Sequence, residues 1–211
     1  MKVIIVGAGG HGAVVADILQ CMRRAGQDVE PIGFVDDNPG STTAHGLPVL
    51  GQPSRIAAVS HDALVIAVGN NRTRKRIFET WRERGERFVA AVHPSAVIAA
   101  DVTIGEGSMI CAGAIVNPGT IIGSNVIVNT AASLDHHNVV ADHVHIAPGV
   151  HTGGEVRIGE GALVGIGAIV APQRRVGAWA LVGAGAVVVR DVAPEITVVG
   201  VPATASRRPV E

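Results

Sequence analysis

The chain has 211 residues, room for one large domain or two small ones. Hydrophobic residues make up 47% and charged residues 17%, with aromatics at 2% and no tyrosine, so any core is aliphatic. A net charge of −1 without stacking rings argues against nucleic acid, and the longest apolar and glycine run, Ala178 to Val189, is too short to span a membrane.

The opening MKVIIVGAGGHG is too broken by glycine to read as a signal peptide. Cys21 and Cys111 lie far apart and form no CxxC, which fits a reduced, cytoplasmic protein. Residues 1–91 alternate in character, predicting strands over 3–6, 32–36, 64–68 and 88–92 and helices over 11–25 and 72–84. In the first helix Val14, Val15, Ile18, Leu19 and Met22 fall at helical spacing, and Gly26 stands at the C-terminal cap position. This is a small α/β domain, half of a Rossmann-like sheet. Between its first strand and helix, Gly7, Gly9 and Gly12 satisfy G-x-G-x-x-G, and Asp36 follows the next strand. The pattern suits phosphate, because glycines admit close backbone approach and a helix N-terminus offers free amides. Three readings stay open: a dinucleotide, which half a sheet holds poorly, a nucleotide sugar, or a tight turn.

From Ile98 onward every sixth residue repeats in kind: Ile98, Ile104, Ile110, Val116, Ile122, Val128, Leu134, Val140, Ile146, Thr152, Ile158, Val164, Val170, Val176 and Val182. Fourteen of these fifteen are aliphatic, and the next position is often glycine, as at Gly105, Gly123, Gly159, Gly165, Gly177 and Gly183. A helix cannot keep every sixth residue on one face, whereas short strands joined by turns can. Three hexads make a triangular coil of 18 residues, so the spacing predicts five coils with aliphatic side chains stacked inward and the glycines at the corners. Arg174, Arg175 and Trp179 interrupt the hexad pattern and are read as meeting phosphate or facing solvent.

Hexads such as Ile104-Gly-Glu-Gly-Ser-Met and Val164-Gly-Ile-Gly-Ala-Ile resemble those of the hexapeptide-repeat acyltransferases, which implies a left-handed parallel β-helix over residues 92–211. Together with GAGGHG at 7–12, FVDDN at 34–38, VGNNRTR at 68–74, HPSA at 93–96, DHH at 135–137 and GVPA at 200–203, the chain resembles the sialic acid O-acetyltransferase and bacillosamine N-acetyltransferase group. That resemblance implies an acetyl-CoA-dependent N-acetyltransferase acting on a nucleotide-linked amino sugar for bacterial surface polysaccharide, with no metal, assembled as a homotrimer with sites between subunits. It places Gly9, His11, Asp36, Asp37, Asn70 and Arg72 around the nucleotide sugar. For Asp36 and Asp37 the alternative is a strand-ending turn. The tail departs from the usual pattern, with no lysine directly after Ala203.

Five histidines fall within sixteen residues: His136, His137, His143, His145 and His151. Zinc ligation as in the gamma-class carbonic anhydrases, a general base with neighbours, and histidine-rich turns are the three readings. Acetyl transfer to an amine or hydroxyl needs a base for the nucleophile's proton. The resemblance assigns it to His136, with Asp135 orienting the ring and His137 as the second candidate. Since neighbours in a strand point to opposite faces, a carboxylate from elsewhere is the alternative to Asp135. His145 is assigned to the thioester carbonyl, and His143 and His151 to solvated turns. Gly149, Gly154, Gly167 and Gly185 are candidate contacts for coenzyme A, against the alternative that the fold itself requires them. The rivals are O-acetylation of sialic acid or a related sugar, the zinc enzyme, and a non-catalytic nucleotide-sugar-binding module.

Overall fold

The computed structural model describes residues 1–38 and 46–206; the last five residues of the expected second domain lie outside the described residues. The first domain has strands β1 (Lys2–Val6), β2 (Glu30–Val35), β3 (Val49–Gly51) and β4 (Ala63–Ile66), all parallel, in the order β3-β2-β1-β4. Helices α1 (Gly10–Arg24) and α2 (Asn71–Glu83) cover opposite faces. Alternation along β1 explains this: Val3 and Ile5 pack toward Val15, Ile18 and Leu19 of α1, while Ile4 and Val6 pack toward Phe78 and Trp81 of α2. Val14, expected on the buried stripe, is exposed, lining a hollow with His93, Ala112 and Thr130. β3 and the short 3₁₀ helix Pro53–Ala58 were not legible, being too short to establish a period.

The second domain is a left-handed parallel β-helix. Each hexad contributes one two-residue strand, and strands eighteen residues apart pair in parallel, as Ile121 with Val139 and Ile127 with His145. The second residue of each strand points inward, giving an aliphatic core from Ile110 through Val188. The coil begins earlier than the hexad count implies, because Ala91–Val92 pairs with Met109–Ile110, while Phe88 makes only a bridge to Leu64 of the first domain.

The corners differ from expectation. Glycines after the inward residue lie against the next coil: a Cβ on Gly105 would stand 2.5 Å from the Gly123 carbonyl, and one on Gly159 2.5 Å from Ala178 N. The left-handed backbone falls two residues later, at every sixth position from 107 to 185. Seven of these fourteen are glycine and seven are not, namely Asn125, Ala131, His137, His143, Glu155, Gln173 and Trp179. Stacked coils hold these residues in a conformation that costs a lone L-residue roughly 1–3 kcal/mol.

Three faces result. The docking face presents Met109, Ile127, His145, Leu163 and Leu181, and the first domain seats on it, burying Met109 and Ile127 completely. The apolar face presents Val97, Ile115, Ser133, His151, Ile169 and Val187. The third presents Thr103, Ile121, Val139, Arg157 and Arg175.

Candidate active site

The order β3-β2-β1-β4 reverses direction at β1, so the loops after β1 and β4 flank the crevice where a parallel sheet offers its ligand site. Of the three fingerprint glycines, two answer to packing. A Cβ on Gly7, at φ +106°, would stand 2.8 Å from the Ala67 carbonyl oxygen, and one on Gly12 would collide with the Gly7 carbonyl. Gly9, the N-cap of α1, faces open space. Asp36 accepts from Ala8 N at 2.7 Å and Asn38 N at 2.8 Å, so its carboxylate closes the glycine loop onto the end of β2. Asp37 is exposed beside it. Asn70 caps α2, accepting from Thr73 N at 2.9 Å. Arg72 turns away from the loop and lies 4.5 Å over the Trp179 ring.

The crevice is partly filled by the β-helix. Arg74, fully buried, donates to the carbonyls of Val68 (3.1 Å), Gly69 (3.2 Å), Asn125 (3.1 Å) and His143 (2.7 Å), and to Asn71 Oδ1 at 2.9 Å. Burial pulls its guanidinium down to about 9, which leaves it charged at neutral pH. Asn71 extends the seam with its amide on the carbonyls of Gly161 and Ala162. Beneath lie His11 and His145, ring centroids 6.4 Å apart. Burial first, then the Arg74 charge, lowers both to about 4, so both are neutral at pH 7. One His145 nitrogen bonds the Gly69 backbone and Nε2 meets Asn129 Nδ2 at 3.2 Å, while His11 Nε2 is buried with no partner.

The remaining histidines disperse. His143 is buried, contrary to a solvated turn: its Nδ1 meets Asn125 Nδ2 at 2.9 Å and its ring stands edge-on to Phe78. His151 is exposed, with Nδ1 2.7 Å from Ser133 Oγ. His136 and His137 occupy the exposed corner between the apolar and third faces. Within one chain the cluster therefore separates onto different faces and corners, because six residues advance the coil by one side of the triangle. Asp135 does not reach the His136 ring: its carboxylate accepts from the His136 backbone N–H at 2.8 Å and from Asn117 Nδ2 at 3.1 Å.

Gly154 lies one coil on, beneath His136, where a Cβ would stand 2.5 Å from Nε2. Gly149, Gly167 and Gly185 stack at the corner between the docking and apolar faces, continuing Gly113 and Ala131. None of the three meets an atom within 4 Å of its Cβ position, so this corner is an open track of backbone. Arg174 bonds the Pro172 carbonyl, and the backbone N–H of Arg175 donates to Asp191.

Among the described residues, Asp17, Cys21 and His93 have the proximity of metal ligands, and none belongs to the histidine cluster. His93 Nδ1 accepts from Ser95 N at 3.0 Å, which puts the neutral ring's proton on Nε2, and Arg24 Nη2 lies 2.9 Å from Cys21 Sγ. The grouping is a hydrogen-bonded seam with its own cation.

Residues 2–81 match the PglD N-terminal domain family. UDP-N-acetylbacillosamine N-acetyltransferase of Bacillus subtilis (strain 168) is 38% identical over 115 residues, 53% of this chain and 51% of that one, so the matched stretch spans about half the length of that relative. The acetyltransferase domain of PglB from Neisseria gonorrhoeae FA1090, in complex with acetyl coenzyme A, superposes with a TM-score of 0.90 at 38% identity, covering 97% of this chain and 98% of that one. The chain is a member of this family of hexapeptide-repeat acetyltransferases. PerB from Caulobacter crescentus, solved with CoA and GDP-perosamine, gives 0.89 at 36% identity over 98% and 97% of the two chains. Family membership accounts for both halves of the chain together, which the zinc-enzyme reading does not.

Arg74, Asn71, Asn125 and Asn129 were not singled out in the sequence. The Arg74 signal was present in VGNNRTR, but only docking shows that this arginine, rather than Arg72, is turned inward.

Proposed function

We propose that this protein transfers acetyl from acetyl-CoA to the amino group of a nucleotide-linked amino sugar, with His136 as the general base and direct attack on the thioester. The relatives solved with CoA, acetyl-CoA and GDP-perosamine support the substrate classes. The observation that carries the assignment of the base is the exposure of His136 at an open corner, its Nε2 lying over Gly154, where only a hydrogen leaves room for the ring. In the step, the amine lone pair forms the C–N bond, His136 Nε2 takes the amine proton, and collapse of the tetrahedral intermediate breaks the C–S bond. The protonated base then returns a proton to the thiolate of CoA.

The glycine track at 149, 167 and 185 suits the pantetheine of CoA, since no side chain intrudes along it, while the glycine N–H groups themselves donate to the carbonyls of Thr130, Pro148 and Ile166 in the preceding coil. Gly9 and the first turn of α1 suit the nucleotide diphosphate. The buried, unpartnered His11 Nε2 suits a polar group of the bound sugar or acetyl, as does His145 beside it.

His136 and the His11–His145 pair lie apart within one chain, so a shared site requires a second copy. The apolar face supports this, with Val97 at 64%, Ile115 at 41% and Ile169 at 44% exposure aligned in one sheet. A cytoplasmic homotrimer serving surface polysaccharide synthesis is the assembly proposed; no helix among the described residues is long and apolar enough to cross a membrane.

Free-thiol release from acetyl-CoA, with UDP-, GDP- and dTDP-linked 4-amino sugars and sialic acid as acceptors, tests the reading. Turnover with one amino sugar, lost by about 10²- to 10⁴-fold in kcat for His136→Ala with sugar binding retained, is the expected result. Turnover only with sialic acid moves the chemistry to oxygen, and unchanged kcat for His136→Ala removes the base assignment.

A further inference from the structure

Asp135 is committed to the His136 backbone and to Asn117, which leaves the His136 ring without a carboxylate from its own neighbour. Its Nδ1 instead faces Nδ1 of His137 at 3.1 Å, the rings nearly perpendicular at 79° with centroids 5.3 Å apart. Each ring lies over a glycine: His136 over Gly154 of the following coil, and His137 over Gly119 of the preceding one, where a Cβ would stand 2.6 Å from its Cδ2. The left-handed backbone of His137, at φ 56°, turns its side chain back onto its neighbour.

We infer that His137 is a positioning residue for the base, its Nδ1 accepting the Nδ1–H of His136 and thereby holding His136 in the tautomer whose Nε2 is bare. The inference rests on the reading of His136 as base. Of two facing ring nitrogens one must donate and the other accept. With the proton on His136 Nδ1, Nε2 can take the amine proton; with the reverse arrangement the neutral ring carries its proton on Nε2 and cannot. When Nε2 is protonated, the Nδ1–H becomes a charged donor to a neutral acceptor, a stronger bond than in the ground state. The stabilisation grows as charge develops, so it belongs to kcat rather than to KM. His137 keeps its own proton on Nε2, beside a hollow of about 330 Å³ that it lines with Glu155 and Arg157. A histidine here thus does for the base what a carboxylate commonly does.

The corner itself supplies the test variants. Glycine occupies the equivalent position one coil earlier, as Gly119, and asparagine holds the same backbone at Asn125, so His137→Gly and His137→Asn both suit the fold. The amide oxygen of asparagine replaces the imidazole Nδ1 as acceptor. His137→Gly is expected to lower kcat about tenfold, within the range for hydrogen-bonded neighbours, with KM for both substrates unchanged. His137→Asn is expected to restore most of that loss, and His137→Gly added to His136→Ala to cost nothing further. Wild-type kcat for His137→Gly, no rescue by asparagine, or a full additional loss in the double variant would each overturn the inference. Wild-type kcat for His136→Ala would overturn the base assignment instead, and is read separately.

Discussion

Arg74 Nη2 donates to the carbonyl oxygen of His143 at 2.7 Å across 69 residues of sequence, and through it α2 is tied to the β-helix. Five backbone carbonyls, of Val68, Gly69, Asn125, His143 and Val144, converge on this one guanidinium. The cation is buried without a carboxylate partner because the carbonyl dipoles replace its hydration.

Replacing Arg74 by methionine leaves those acceptors without a donor. The expected cost is about 2–4 kcal/mol, a fall in melting temperature of several degrees in a chain of this size. Thermal unfolding of the variant checks this, and an unchanged midpoint would show that water satisfies the seam.

Gly154→Ala tests the support under the proposed base, His136. Gly154 has no left-handed backbone to strain, so alanine is acceptable locally, but its Cβ stands in the place of the His136 ring. The exposed ring can swing aside, so stability is expected to hold while kcat falls on the order of 10²-fold through misplacement of Nε2. Paired melting and steady-state measurements separate the two effects.

Acid should weaken the domain seam. His11 and His145 are held near 4 in the folded chain against 6.5 for a free histidine, first by burial and then by Arg74. Between those values the unfolded chain binds more protons, so this contribution is fully present above pH 6.5 and is lost as pH falls toward 4. Each group contributes up to roughly 3 kcal/mol, and the two are coupled and do not add. The melting temperature is expected to drop between pH 7 and pH 5, and to drop less in His145→Gln.

Charge on the apolar face tests assembly. Ile115→Glu with Ile169→Glu places carboxylates in the sheet that carries Val97, at positions exposed in the single chain. Light scattering is expected to show monomers that keep their fold by circular dichroism and lose acetyl transfer, since His136 and the His11–His145 pair then lack a partner copy. Active monomers would place the whole site within one chain.

Much of this protein is determined by local pattern. The six-residue period specifies the coil because each inward side chain is buried by its counterparts eighteen residues away, and any break in the period would expose one. The α/β half follows from alternating burial and from Gly7 and Gly12, whose missing Cβ atoms are required by close backbone approach. Which polar groups face one another is settled instead by the packing of the coils and of the two domains. His11 of the first domain comes to rest beside His145, Arg74 rather than Arg72 enters the seam, and Asp135 spends its carboxylate on a backbone amide. Periodicity dictates the side of the coil on which a residue falls, but the partner it meets there is set by how two domains dock, and docking leaves no periodic trace in the chain.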